Sequence, residues 1–304
     1  MSLNFYKMNE ADSPNDLSAI DIRRAFDKAA SDYDRYAVLQ RAVADHLLET
    51  LELFTIKPGI VVDLGAGTGY CTNPLRSRFP KSKLILCDIS LQMLRVAKSK
   101  SRYWLRAPRY VNADINELPF ADNSVDVLFS SLAFQWCRDL DKLFVECKRS
   151  LKPDGLMIFS SLGPDTLREL RSSFAAADNT PHVHDFIDMH DVGDALVRAG
   201  FTAPVLQTDR ITMTYDTMME VMRDLRGIGA VNQSQQRRRS LSSRQVFKLA
   251  QAHYESYREQ GLLPATYEVV YAHAFSPTPH DPAQDGSQVA SFPLHQLQRR
   301  DKSQ

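Results

Sequence analysis

The 304-residue chain has no excess of either charge. Its 37 basic and 37 acidic side chains cancel, so no whole-molecule field draws it to nucleic acid or to an anionic membrane, and such a preference would need a local patch. Close cysteine pairing is missing too. Cys71, Cys87, Cys137 and Cys147 lack metal-type spacing, and the first two lie beside apolar strand-like runs, which reads as reduced structural thiols in a cytoplasmic setting. No window approaches the length of a membrane span, and residues 1–15 are polar and acidic rather than a charged start with an apolar core, so neither a membrane nor an export reading arises. Apolar residues are plentiful, at 43% of the chain, enough for a substantial core.

Residues 1–18 show no periodicity and read as a flexible arm. Apolar or aromatic positions 22, 26, 29, 30 and 33 recur at helical spacing, and a second helix is expected over 37–54, so 19–56 forms a helical cap. From residue 60 strands and helices alternate: strands over 60–64, 83–87, 110–112, 125–130 and 156–161, with helices over 71–79, 90–100 and 139–150 and a turn at 152–155. Such alternation implies an α/β fold with a doubly wound, mostly parallel sheet of seven strands and ligand beyond the strand C-termini. Helices over 165–177 and 190–200 follow, then a strand over 205–214, helices over 216–226 and 243–260, and a last strand over 266–275. A reversal between the last two strands gives an antiparallel edge, and the segments about 164–192 and 215–262 form a helical lid. Residues 276–304, rich in proline, glutamine and charge, read as a disordered tail after one domain spanning 19–275.

The strand at 60–64 runs into Asp63-Leu64-Gly65-Ala66-Gly67-Thr68-Gly69-Tyr70. Alternate glycines let backbone approach a ligand without Cβ interference. A dinucleotide turn expects its third glycine three residues after the second, where Tyr70 stands, and no Lys-Ser or Lys-Thr pair follows to grasp a pyrophosphate. Asp88 ends the second strand, where an acid takes ribose hydroxyls. Asp114 follows the third and is placed to meet an adenine amino edge. As turn or cap residues the two aspartates would have a purely structural use.

Glycine at every second position, with Asp63, Asp88, Asp114 and Leu118-Pro119-Phe120, resembles the S-adenosylmethionine site of class I methyltransferases, whose ligand carries no phosphate. The resemblance adds Met93, Ile115 and Ser131 to Asp63, Gly65, Gly67, Gly69, Asp88 and Asp114 as cofactor-binding positions. It narrows on the flanks. Phe26-Asp27-Lys28-Ala29-Ala30-Ser31-Asp32-Tyr33-Asp34, Ser131-Leu132-Ala133-Phe134-Gln135-Trp136-Cys137, Phe159-Ser160-Ser161-Leu162-Gly163-Pro164-Asp165-Thr166-Leu167, Phe186-Ile187-Asp188-Met189-His190-Asp191 and Leu225-Arg226-Gly227-Ile228-Gly229-Ala230 are similar to the malonyl-acyl-carrier-protein O-methyltransferases of biotin synthesis, over roughly residues 20–275.

The resemblance implies methyl transfer from S-adenosylmethionine, leaving S-adenosylhomocysteine, to the free carboxylate of malonyl-acyl-carrier protein or malonyl-CoA. It implies Tyr33 closing over the cofactor, Arg226 gripping the malonyl carboxylate with Arg223 or Arg210 as substitutes, and Gln135 and Trp136 lining the transfer pocket. Arg237, Arg238 and Arg239, with Arg244 and Lys248, would receive an acidic carrier protein or the phosphate of its pantetheine arm, or stand as a solvated face. Without interleaved aromatics they favour no nucleic acid. His182, His184 and His190 invite a metal reading, which methyl transfer does not need. A monomer is expected. The competing similarity is to methyltransferase-like assembly factors of respiratory complex I, some of which hydroxylate arginine, through Gly163-Pro164-Asp165-Thr166-Leu167 and Pro264-Ala265-Thr266-Tyr267. Methylation of another small acid and a non-catalytic cofactor-binding module are the remaining readings.

Overall fold

A computed structural model describes residues 19–101, 107–137, 139–183, 185–230 and 244–278. The strands are β1 (Ile60–Leu64), β2 (Lys83–Asp88), β3 (Arg109–Asn112), β4 (Val125–Ser131), β5 (Leu151–Leu162), β6 (Thr202–Tyr215) and β7 (Leu263–Phe275). They form one sheet in the order β3-β2-β1-β4-β5-β7-β6. β1 to β5 pair parallel, while β7 runs antiparallel to both β5 and β6. The strand order reverses between β1 and β4, which opens a crevice beyond their C-terminal ends. The expected reversal is present, with β7 between β5 and β6 and β6 outermost.

The helices are α1 (Ala19–Ala29), α2 (Tyr33–Tyr36), α3 (Val38–Glu52), α4 (Thr72–Arg78), α5 (Leu91–Lys100), α6 (Leu140–Ser150), α7 (Arg168–Ala175), α8 (Met189–Arg198), α9 (Met218–Gly227) and α10 (Arg244–Tyr254). Period-two alternation in the strands feeds two cores, one on each face of the sheet. Val61, Val127, Phe129 and Ile158 point to one side, where they meet Leu47 and Leu51 of α3, Leu94 of α5 and Ala250 of α10. Val62, Leu128, Met157 and Phe159 point to the other and meet Phe144 of α6 and Leu196 of α8. With both faces covered, the loops at the strand ends are left to hold a ligand.

Three local expectations are corrected. The leading helix does not run through residue 33: α1 ends at Ala29, a turn closes with Asp32 N donating to Ala29 O at 3.1 Å, and α2 begins at Tyr33. Residues 152–155 do not precede a strand. They lie inside β5, where Asp154 takes a left-handed φ of 59° and the chain is tied to the end of β7 by Asp154 N to Ser276 O and Ser276 N to Gly155 O. The helix expected over 243–260 stops at Tyr254 and is followed by a 3-10 turn, Glu255–Tyr257. The arm over 1–18, the triplet Arg237, Arg238 and Arg239, His184 and the tail from 279 lie outside the described residues.

Candidate active site

Gly65, Gly67 and Gly69 all have positive φ, at 72°, 54° and 79°, which glycine alone adopts at little cost. They serve different ends. A Cβ on Gly65 would sit 2.3 Å from the Ala133 Cβ and one on Gly69 would sit 2.9 Å from the Ala97 Cβ, whereas a Cβ on Gly67 would meet nothing within 4 Å. The outer two glycines let the turn pack on its neighbours, and the central one faces open space. Gly65 N and Ala66 N both donate to Cys87 O at the end of β2, so the turn leans toward Asp88.

Asp88 is buried, and each of its oxygens takes a backbone donor: Gly67 N to Oδ2 at 2.8 Å and Ser90 N to Oδ1 at 2.7 Å. A carboxylate oxygen has two lone pairs, so each retains one for a further donor such as a ribose hydroxyl. Burial pushes Asp88 up to about 6 against the two backbone bonds. Asp63, on the neighbouring strand, is pushed up to about 8 by burial and by the charge of Asp88. Two desolvated carboxyls side by side are costly when both are ionised, and a bound cation would relieve them. Asp114 forms a turn, its Oδ1 accepting from Asn116 N and Nδ2, each at 2.8 Å. Met93 is fully buried, its N–H donating to the Ser90 Oγ cap of α5. Ile115 packs half-buried on the second core, and Ser131, at the end of β4, faces Ser160 Oγ at 3.5 Å.

The cap closes over this crevice through contacts that sequence reasoning missed. Asp27 of α1 accepts from Ser90 Oγ at 2.6 Å. Asp34 of α2 accepts from Thr68 Oγ1 and from Lys100 Nζ, both at 2.6 Å. Asp45 of α3 accepts from the Tyr70 hydroxyl at 2.8 Å. Thr68 and Tyr70 alternate with the glycines, and their side chains reach the cap while the backbone faces the crevice. The detectable signal was a set of carboxylates on the cap facing hydroxyls around the glycine turn. Burial works to raise Asp34, but hydrogen bonds from Lys100 and Thr68, with the charges of Lys100 and Arg41, hold it below the usual carboxylate range.

Tyr33 lies between these contacts, half-buried, its hydroxyl pushed well up by burial and by the charges of Asp88 and Asp34. That places the hydroxyl in the field of Asp88. Gln135 and Trp136 form a 3-10 turn after β4, Phe134–Trp136. The Trp136 ring meets Phe26 of α1 edge-on at 5.4 Å. Gln135 Oε1 is buried with no partner among the described residues, a costly state that a ligand donor would end.

On the lid, Arg226 occupies the last turn of α9 and is exposed. The glycines after it serve packing: a Cβ on Gly227 would meet the Tyr36 ring at 2.3 Å, and Gly229, with φ 71°, lies against Ala25 O and Phe26. Lid and cap therefore touch beside Tyr33. Arg210 is paired with Asp165. Arg244 and Lys248 share an exposed face of α10. Gly163-Pro164-Asp165-Thr166-Leu167 joins β5 to β7: Gly163 N donates to Glu268 O at 2.8 Å, Asp165 N to Glu268 Oε2 at 2.9 Å, and buried Glu169 takes Thr266 N at 3.1 Å and Thr266 Oγ1 at 2.5 Å. His182 stacks on Phe174 at 4.2 Å and bonds Asp178 at 2.9 Å, a packing use for a candidate metal ligand. Burial raises all four thiols above their ordinary range, so none is poised to react.

The family described as Methyltransferase domain matches residues 62–159. A malonyl-[acyl-carrier protein] O-methyltransferase of Laribacter hongkongensis is 46% identical, the match covering 90% of this chain and 95% of the relative. One of the same name from Methylovorus sp. is also 46% identical, over 89% and 93%. Among solved structures, phosphoethanolamine N-methyltransferase 2 of Haemonchus contortus with S-adenosyl-L-methionine is similar in fold, with TM-score 0.53 and 17% identity over 84% of this chain and 60% of that one. A class I methyltransferase sheet, a glycine turn leaning on an acid at the end of β2, and relatives matched over nearly their whole length agree, and the chain belongs to the malonyl-[acyl-carrier protein] O-methyltransferase family.

Proposed function

We propose that the chain transfers the methyl group of S-adenosylmethionine to the free carboxylate of malonyl-acyl-carrier protein, capping it as a methyl ester for the pimeloyl chain of biotin. The observation that carries this is the 46% identity to relatives of that name over 90% of this chain. The seat fits the cofactor: open space at Gly67, spare lone pairs on Asp88, and Asp63 and Asp88 raised by burial so that a cation lowers their cost. When bound, the cofactor supplies an electrophilic methyl on a sulfonium.

The rest falls to the chain's own residues. A substrate carboxylate is ionised near neutral pH and attacks without losing a proton, so no general base is required. The work of the site is to position the reactants and keep water out. Asp88 and Asp114 orient the nucleoside, with Met93, Ile115 and Ser131 as flanking contacts. Tyr33 closes the seat, Gln135 and Trp136 wall the transfer pocket, and Arg226 grips the malonyl carboxylate through two guanidinium donors. Arg244, together with Arg237 and Arg238, offers positive charge to an acidic carrier. Masking the carboxylate lets an apolar acyl site accept the chain, since a buried free carboxylate is costly.

The proposed state is a monomer. Buried, unpaired cysteines support a cytoplasmic setting. No helix among the described residues is long and apolar enough to cross a membrane.

Purified protein given methyl-labelled cofactor should label malonyl-acyl-carrier protein as a base-labile ester, with malonyl-CoA as the parallel acceptor to rank the two. Cofactor binding with no transfer to either thioester would sink the assignment. Arg226→Ala should raise the Michaelis constant for the malonyl substrate about tenfold or more while leaving cofactor affinity unchanged, and an unaltered Michaelis constant would move the grip to another arginine.

A further inference from the structure

The cap is held to the cofactor seat by polar contacts at its ends. Between α1 and α5 runs a groove of about 350 Å³ lined by Asp27, Ser31, Gln92, Arg95 and Ser99, so the two helices are not packed tightly along their length. Asp27 crosses it at the N-terminus of α5, accepting from Ser90 Oγ at 2.6 Å and Gln92 N at 3.2 Å. Asp34 crosses it at the other end, where Lys100 closes α5, and also binds Thr68 of the glycine turn. Tyr33 lies between the two carboxylates, directly after the break at residues 30–32 that frees it from α1.

We propose that Asp34 is a positioning residue: by clasping Thr68 and Lys100 it fixes Tyr33 over the seat and sets how long the cofactor stays. Thr68 is 3% exposed, so the donor end of its bond to Asp34 is shielded from water, and a charge-assisted bond of that kind is stronger than a neutral one. The Lys100 arm is open, with Lys100 and Asp34 side chains 42% and 51% exposed, and contributes less. Because Thr68 sits between Gly67 and Gly69, the same contact holds the glycine turn and the cap together. Cofactor passing over Gly67 has to move past Tyr33, so loosening the clasp speeds its release. Asp27 on Ser90 is the second tether of the same cap.

This inference rests on the cofactor reading above, and the test separates them. Release of S-adenosylhomocysteine from the full-length protein is followed by stopped-flow. Asp34→Ala and Thr68→Val should each speed release about tenfold, the double variant should be no faster than the faster single, and Thr68→Ser, which keeps the hydroxyl, should release like the unmodified protein. Lys100→Met, an exposed change with little risk to folding, should speed release by about two- to threefold. Unchanged release rates, multiplying effects in the double variant, or equal rates for Thr68→Ser and Thr68→Val would overturn the clasp while leaving the cofactor seat standing. Failure of the unmodified protein to bind S-adenosylhomocysteine would overturn both.

Discussion

At the ends of β1 and β2 the proposed seat is built largely from backbone: three glycines of positive φ, the central one facing open space, and a carboxyl steadied by two N–H groups, one of them that of Gly67. On the cap and lid the elements are joined by side chains instead, with carboxylates clasping hydroxyls and glycines admitting aromatic rings. The seat depends on where the main chain can go, and the cover depends on which side chains meet across elements distant in sequence. The central glycine of the turn and Asp88 leave room and lone pairs for the proposed cofactor, whereas Gly163-Pro164-Asp165-Thr166-Leu167 and Gly227 with Gly229 act on the architecture. The five-residue segment ties β5 to β7 and roots α7, and the two glycines bring α9 onto the cap. In this chain they set where α7 and α9 lie against the sheet and the cap.

The sharpest way to break this contrast lies within the glycine turn. Gly65→Ala puts a methyl 2.3 Å from Ala133 at positive φ, which should cost about 3 kcal/mol of stability from strain and overpacking together and abolish cofactor binding. Gly67→Ala adds a methyl to open space and should cost only about 1 kcal/mol, yet weaken cofactor binding at least tenfold. Equal melting temperatures for the two variants would show that the glycines do not divide their roles. Next in size, Glu169→Ala leaves two Thr266 donors without their carboxylate and should cost about 2–3 kcal/mol by denaturant unfolding, with cofactor affinity retained in the folded protein. A selective loss of cofactor binding would move that junction into the site.

A smaller effect concerns pH. Asp63 and Asp88 have folded pKa values of about 8 and about 6, above the unfolded values, so the folded chain binds more protons than the unfolded one in between. Stability of the ligand-free protein is therefore fully present below about pH 4 as far as these two groups are concerned, and is lost as pH rises through 6 and 8. Asp63→Asn should flatten that decline and raise the melting temperature at pH 8 by a few degrees. An unchanged slope between pH 5 and 8 would refute the desolvation account. The smallest effect is expected at Arg210, whose pair with Asp165 is exposed, at 62% and 40%. Arg210→Met should change stability by less than about 0.5 kcal/mol, and if it instead raised the malonyl Michaelis constant, Arg210 rather than Arg226 would be the carboxylate grip.

Much of the sheet was legible because its strands are short apolar runs bounded by helices, and alternation forces parallel pairing. The leading helix was misjudged since position 33 continues a helical period even though the chain breaks before it, and what ends the helix is a turn that lets Tyr33 face Asp88. The turn at 152–155 was read correctly in composition and wrongly in context, because bonds to Ser276 and Thr278, and from Lys152 to Asp126, hold it within β5.

By itself the sequence marked the proposed seat: alternate glycines permit left-handed backbone, an acid that ends the second strand and one that follows the third fall at the same end of a parallel sheet, and both follow from local chemistry and period. Tertiary structure alone decided that Asp27, Asp34 and Asp45 meet Ser90, Thr68 and Tyr70, and that Glu169 meets Thr266. Those partners are separated by 63, 34, 25 and 97 positions. No local period encodes such a pairing, and only the packing of the cap and of β7 onto the sheet brings the groups within hydrogen-bond reach.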